Sequence, residues 1–214
     1  MTTHTHDNAP KTAGATITWW APLYDACTGL ASFGMSAGVR KATLKAARLK
    51  PGEAVLDVGC GTGDLTLRAA RRVGAEGRTA GIDASPDMIK IASRKAAKKG
   101  RDVDFRVAPI EDLPFADGEF DAALSSFMVH HLPDDLKVRG LAEVRRVLMP
   151  GGRLVVVDLK PGGGIVGFIS RLVGHRLPDD YGERLKTTMR EAGFEDAQLL
   201  DAKNRMAIFL RATR

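Results

Sequence analysis

The stretch Val55-Leu56-Asp57-Val58-Gly59-Cys60-Gly61-Thr62-Gly63 decides the fold. Ala54 to Val58 is a short apolar run of the kind found in a strand buried on both faces. The acid Asp57 stands near its end, and glycines follow at positions 59, 61 and 63. Asp64 then opens a segment with helical spacing: Leu65, Leu67, Ala69, Ala70 and Val73. In open α/β sheets, ligands bind beyond the carboxyl ends of the strands. Glycines at that point let the backbone take positive φ and come close to a ligand.

The spacing selects among ligands. A dinucleotide fingerprint is G-x-G-x-x-G and sets a pyrophosphate on the helix N-terminus. Here the glycines alternate, and a carboxylate, Asp64, starts the helix. A carboxylate there competes with a phosphate and tolerates a cation. A sulfonium nucleoside is therefore favoured over a nicotinamide dinucleotide. A second acid, Asp83, ends the next strand and can accept hydrogen bonds from two ribose hydroxyls. Met88, one turn into the following helix, can pack on an adenine.

Outward from this core the pattern alternates. Arg78 to Ile82 reads as a strand, and Pro86 to Lys99 as a helix with Ser85 as N-cap. Val103 to Val107 and Phe120 to Ser125 read as strands, followed by a loop through His131 to Pro133. Asp134 to Met149 reads as a helix stopped by Pro150-Gly151-Gly152, and Leu154 to Val157 as a strand ending at Asp158. Tyr181 to Ala192 reads as a helix, and Phe194 to Leu200 with Arg205 to Ala212 as an antiparallel hairpin. Alternation of apolar strands and helices predicts an α/β fold, with a parallel sheet covered on both faces.

The flanks are less regular. Residues 1 to 16 are polar and aperiodic and read as a disordered tail. Residues 17 to 49 read as a helical lid broken around Gly29 to Gly38, so one domain is expected over 17 to 214. After Gly162-Gly163-Gly164, the residues Ile165, Phe168, Ile169, Leu172 and Val173 recur at helical spacing. That suits a helix packed over the sheet's end, or an interfacial lid.

Bulk properties bound the function. A chain of 214 residues suits one domain with a full core, and 44% hydrophobic with 27% charged residues is ordinary for a globular protein. No apolar run reaches the length of a membrane span, and the Thr/His-rich start lacks the apolar core of a secretory signal. Cys27 and Cys60 form no disulfide framework and no metal site, so no metal is expected and a reducing cytoplasm is the default. The net charge of +6 gathers in Lys90 to Arg101, where basic residues punctuate an amphipathic helix. The plain reading is a solvated face; peripheral contact with an anionic membrane is the alternative. No nucleic-acid signature accompanies the charge.

Together these motifs resemble the class I S-adenosylmethionine-dependent methyltransferases over about residues 50 to 160. The resemblance rests on the glycine stretch and on Gly81-Ile82-Asp83-Ala84-Ser85-Pro86-Asp87-Met88. Glu111-Asp112-Leu113-Pro114-Phe115, Phe120-Asp121-Ala122-Ala123-Leu124 and Leu148-Met149-Pro150-Gly151-Gly152-Arg153-Leu154 extend it. It implies a Rossmann-like, seven-stranded, mostly parallel sheet with the last hairpin inserted antiparallel. It also implies S-adenosyl-L-methionine as cofactor. Asp57 and Gly59, Cys60, Gly61, Thr62 and Gly63 would lie along the methionine part and Asp83 and Ala84 at the ribose. Ile110 and Glu111 would border the adenine with Met88, and Ser125 would complete the set. Where the family often has Gly-Asp-Ala, this chain has Ala108-Pro109-Ile110, so the adenine amino group loses its usual aspartate.

Trp20-Ala21-Pro22-Leu23-Tyr24-Asp25 and Ser32-Phe33-Gly34 are similar to the N-terminal region of quinone-biosynthesis C-methyltransferases. The same start is reminiscent of bacterial phosphatidylethanolamine N-methyltransferases. The loop Met128-Val129-His130-His131-Leu132-Pro133-Asp134 departs from the quinone enzymes, whose loop carries Arg-Asn. The expected acceptor is therefore a small or lipid-like molecule. If it must lose a proton, His130 and His131 follow the fourth strand and are the first candidate bases, with Tyr24 second. A nicotinamide oxidoreductase and a non-catalytic cofactor-binding module are the competing classes.

Overall fold

The computed structural model describes residues 35–161, 177–202, 204 and 206–214. Strands β1 (Ala54–Val58), β2 (Arg78–Asp83), β3 (Asp104–Val107), β4 (Phe120–Ser126) and β5 (Leu148–Leu159) precede β6 (Glu195–Leu200) and β7 (Ala207–Thr213). They form one seven-stranded sheet in the order β3-β2-β1-β4-β5-β7-β6. Every pairing from β3 to β5 is parallel, while β7 runs antiparallel to both β5 and β6.

The helices are α1 (Met35–Ala47), α2 (Asp64–Val73), α3 (Pro86–Lys98), α4 (Asp134–Val147) and α5 (Tyr181–Glu191). Side chains alternate along each strand, so the sheet divides its apolar residues between two cores. Leu56, Val58, Ala123, Leu154 and Val156 pack with Leu141 and Val144 of α4 and Leu185 and Met189 of α5. Val55, Leu124, Val155 and Val157 pack on the other face with Val39 of α1 and Leu65, Ala69 and Val73 of α2. Helix α3 lies against β2 and β3. Its first turn is fixed as the sequence predicts: Ser85 Oγ accepts from Met88 N–H at 3.4 Å, and Pro86 occupies the first helical position.

Three local expectations are corrected. The predicted break up to Gly38 ends earlier, since α1 already runs from Met35 through Gly38. A Cβ at Gly38 would meet nothing within 4 Å, so this glycine costs only helix propensity, about 1 kcal/mol. The predicted helix to Met149 stops at Val147, and β5 starts at Leu148 instead of Leu154. Leu148 pairs with Phe120 before a register shift brings Arg153 opposite Ala122, and Arg214 N–H bonds Gly152 O at 2.9 Å. Backbone partners on both sides thus draw the Pro150-Gly151-Gly152 stop signal into the sheet. The tail at 1–16, residues 17–34 of the lid expected over 17–49, with Tyr24, and the stretch 162–176 lie outside the described residues; the rest of that lid is α1, whose Val39 and Ala47 belong to the core. Among the described residues, no helix is long and apolar enough to cross a membrane.

Candidate active site

The order β2-β1-β4-β5 reverses direction between β1 and β4, which opens a crevice beyond their carboxyl ends. The glycine turn lines one side. Gly59, Gly61 and Gly63 all hold positive φ, at 70°, 53° and 79°. The need for glycine differs among them. A Cβ on Gly59 would meet Met128 Cγ at 2.4 Å, and one on Gly63 would meet Phe105 Cζ at 2.8 Å and Ala92 Cβ at 2.9 Å. On Gly61 it would meet nothing within 4 Å, so open space stands over that residue.

The two acids do different work. Asp57 is buried on the α2 side and accepts a 2.6 Å hydrogen bond from Thr66 Oγ1. Burial pushes its pKa up to about 7; the Thr66 bond opposes this and the charge of Asp83 adds to it. Asp83 accepts from Gly61 N–H through Oδ2 at 2.9 Å and from Ser85 N–H through Oδ1 at 2.9 Å. Burial raises its pKa, and those two bonds counter the rise. Asp83 thus faces the middle of the glycine turn, and Ala84 follows it half-buried.

Asp64 behaves otherwise than its position suggests. Its carboxylate sits 3.3 Å from Lys95 Nζ and 3.4 Å from Arg40, so two cations offset its charge. Lys95 Nζ also donates to Thr62 Oγ1 at 2.9 Å. The glycine spacing and Asp83 disfavour a phosphate independently of Asp64, whose carboxylate pairs with Lys95 and Arg40. Cys60 is buried, and burial followed by the charges of Asp57 and Asp83 pushes its thiol well up. A protonated thiol at that point fills space and is no nucleophile.

Met88 and Ile110 are buried at 3% and 6% exposure, and Ile110 lies under Gly140 of α4. Two oxygens in the same region lack any hydrogen-bond partner among the described residues: Glu111 Oε2 and Ser125 Oγ. Proteins seldom bury such atoms without a partner, and a bound ligand commonly supplies one. A ligand with an amino-purine, a ribose diol and an ammonium brings the donors these atoms need. The half-buried Asp83, and a Gly61 with no described atom within 4 Å of its Cβ position, fit the same ligand.

The far side of the crevice comes from the end of β4. Phe127 turns the chain through a left-handed φ of 55°, its N–H held by Val157 O at 2.8 Å. Met128 then lands on Gly59, and Val129–His131 forms a single 3-10 turn. His130 and His131 stack with ring centroids 3.9 Å apart. His130 Nδ1 lies 2.5 Å from Asp158 Oδ1, and His130 N–H donates to Asp158 Oδ2 at 2.9 Å. Tyr181 of α5 donates its hydroxyl to the same Oδ2 at 3.0 Å. Asp158 and Tyr181 were invisible as site residues in the sequence. Asp158 read only as a strand end, and Tyr181 as the start of a helix twenty-three residues later.

Known proteins agree with this geometry. A methyltransferase domain family matches residues 55–152. The chain is 33% identical over 204 residues to the ubiquinone/menaquinone biosynthesis C-methyltransferase of Geotalea daltonii, across 83% of this chain and 86% of that protein. It is 40% identical over 159 residues to the demethylmenaquinone methyltransferase of Thermus thermophilus, across 73% and 70% of the two chains. An S-adenosylmethionine-dependent methyltransferase from Aquifex aeolicus shares the fold with a TM-score of 0.72 at 23% identity, across 90% of this chain and 96% of that one. The chain belongs to the class I S-adenosylmethionine-dependent methyltransferases, is an enzyme of that family with S-adenosylmethionine as cofactor, and stands near the ubiquinone/menaquinone C-methyltransferase group.

Proposed function

We propose that this methyltransferase acts on a small or lipid-like acceptor that must lose a proton, with His130 as the base. The observation that carries the reading is the position of His130. Its neighbour Met128 covers Gly59, so the His130 turn sits against the cofactor loop. Asp57, Gly59, Cys60, Gly61, Thr62 and Gly63 border the methionine part. Asp83 and Ala84 would hold the ribose, and Met88, Ile110, Glu111 and Ser125 would surround the remainder.

When bound, S-adenosylmethionine supplies an activated methyl on a cationic sulfur. The chain's task is alignment, which can contribute on the order of 7–11 kcal/mol, and exclusion of water. His130 removes the acceptor proton through its free ring nitrogen. His131, stacked on it, limits its rotation. The acceptor acts in line with the carbon–sulfur bond.

Two named relatives methylate quinone precursors, which supports a hydroxylated aromatic acceptor. The reading also places the protein in the cytoplasm with peripheral membrane contact. Exposed Lys90, Arg94, Lys98 and Lys99 support that contact. Calorimetry with S-adenosylhomocysteine and NADH, followed by transfer of labelled methyl to a panel of phenols, quinols and amines, tests it. Turnover confined to amines would refute the base, and NADH binding alone would refute the class. Liposome co-sedimentation at low salt tests the membrane contact, and no binding there removes it.

A further inference from the structure

We infer that Asp158 is a positioning residue that holds His130 as a base at Nε2. This rests on the reading of His130 given above.

Asp158 is fully buried, yet its carboxylate accepts four hydrogen bonds. Oδ1 takes His130 Nδ1 at 2.5 Å and Leu159 N–H at 2.8 Å; Oδ2 takes His130 N–H at 2.9 Å and Tyr181 Oη at 3.0 Å. A buried charge is costly unless it is fully paired. Two of the four donors belong to one residue, His130, which Asp158 therefore grips by both backbone and ring. A simple staple between β5 and the β4 loop would need only the backbone bond. The ring bond adds something else: it makes Nδ1 the protonated nitrogen and leaves Nε2 with the lone pair. It also offsets the positive charge that arises on the ring when Nε2 takes a proton, as in acid–base dyads generally.

The surroundings keep the pair in that state. Burial, followed by the charge of Asp158, pushes the Tyr181 hydroxyl well up, so it stays a donor. Lys137 Nζ of α4 stands 5.9 Å from the Tyr181 ring and pairs with Asp134 at 2.7 Å. Among the described residues, Asp158 from β5 and His131 from its own turn face His130, Tyr181 of α5 reaches it only through Asp158, and the Lys137–Asp134 pair of α4 stands behind Tyr181.

The step balances simply. The acceptor hydroxyl gives its proton to Nε2. The released electron pair, on oxygen or on a conjugated carbon, forms the bond to the methyl carbon. The electrons of the broken carbon–sulfur bond stay on sulfur, and Nε2 later passes its proton to water. An acceptor already ionised at neutral pH needs no base, whereas an ordinary phenol does.

That difference supplies the test. Wild type, Asp158→Asn, His130→Gln and Tyr181→Phe are assayed with phenols spanning acceptor pKa values from about 6 to 10, across pH 6 to 9. Asp158→Asn and His130→Gln should lose at least a hundredfold in kcat on weakly acidic phenols, with KM for S-adenosylmethionine unchanged, and recover on acidic ones. Tyr181→Phe should lose less than tenfold. A loss equal across the panel marks a merely structural staple and overturns the inference. Nitrogen-15 spectra of the full chain decide independently of turnover: His130 should carry its proton on Nδ1 in wild type and show a mixed tautomer in Asp158→Asn. A proton on Nε2 in wild type overturns the inference, while wild-type failure on every phenol overturns the acceptor reading beneath it.

Discussion

Replacing Asp57 with asparagine should change how stability depends on pH. Asp57 is 1% exposed, and its pKa rises from 3.8 to about 7, chiefly through burial. A raised carboxyl pKa means that the folded state holds the proton more tightly than the unfolded chain. The stability this group contributes is complete below about pH 4 and is lost as pH rises through about 7. The asparagine in the Asp57→Asn variant would still accept the Thr66 hydroxyl bond but carries no charge at any pH. Each pH unit between the two pKa values is worth about 1.4 kcal/mol. From pH 5 to pH 8 the wild type should therefore lose about 3 kcal/mol relative to the variant, almost all of it before pH 7.5. Groups shifted the other way, such as Glu53, Glu143 and Asp134, are common to both proteins and cancel in the difference. Urea unfolding at pH 5, 6, 7 and 8 measures it. A difference independent of pH would show that Asp57 keeps an ordinary pKa, and would refute the reasoning from burial.

Gly61→Ala should cost only the left-handed backbone, about 1–2 kcal/mol, because no atom of the described residues obstructs its Cβ. Its affinity for S-adenosylhomocysteine by calorimetry should nevertheless fall at least tenfold; unchanged affinity would place the ligand elsewhere. Gly140→Ala puts a Cβ within 2.8–3.0 Å of three carbons of Ile110, a buried β-branched side chain with little freedom at χ1. Overpacking of about 1–3 kcal/mol should outweigh the gain of about 1 kcal/mol in helix propensity, so its melting temperature should fall; an unchanged or raised melting temperature would show that Ile110 moves aside freely.

Much of this protein was legible in its sequence for a physical reason. Strands buried on both faces lack a regular polar alternation: β1 read as a short apolar run, and β2 and β4 as strands alternating with helical segments. The antiparallel C-terminal hairpin was legible from two strand patterns with a short turn. The start of β5 was not, because Pro150-Gly151-Gly152 is a local stop signal and only tertiary partners make it a strand. The glycine turn was legible for the same reason as the fold: local backbone demands at Gly59, Gly61 and Gly63 write themselves as glycine. The acceptor side was legible only in part. His130 stood out by residue type, but its partners Asp158 and Tyr181 lie 28 and 51 positions away, and nothing local marks them. The two cations that pair with Asp64 come from α1 and α3, distant in the chain, so nothing local marked them.

The seam between β1 and β4 has one more implication. Val55 to Val58 run beside Ala122 to Ser125, and this line divides the molecule's chemical labour. The residues assigned to the donor come almost wholly from β1 to β3 and the loops after them, and those assigned to the acceptor from the ends of β4 and β5. On the reading proposed above, exchanging the loop at 127–133 should re-specify the acceptor and leave donor binding intact. The exception is where Met128 lies on Gly59. A change of shape at position 128 reaches the donor loop directly, so the choice of acceptor and the grip on the donor are coupled through one unbranched, deformable side chain.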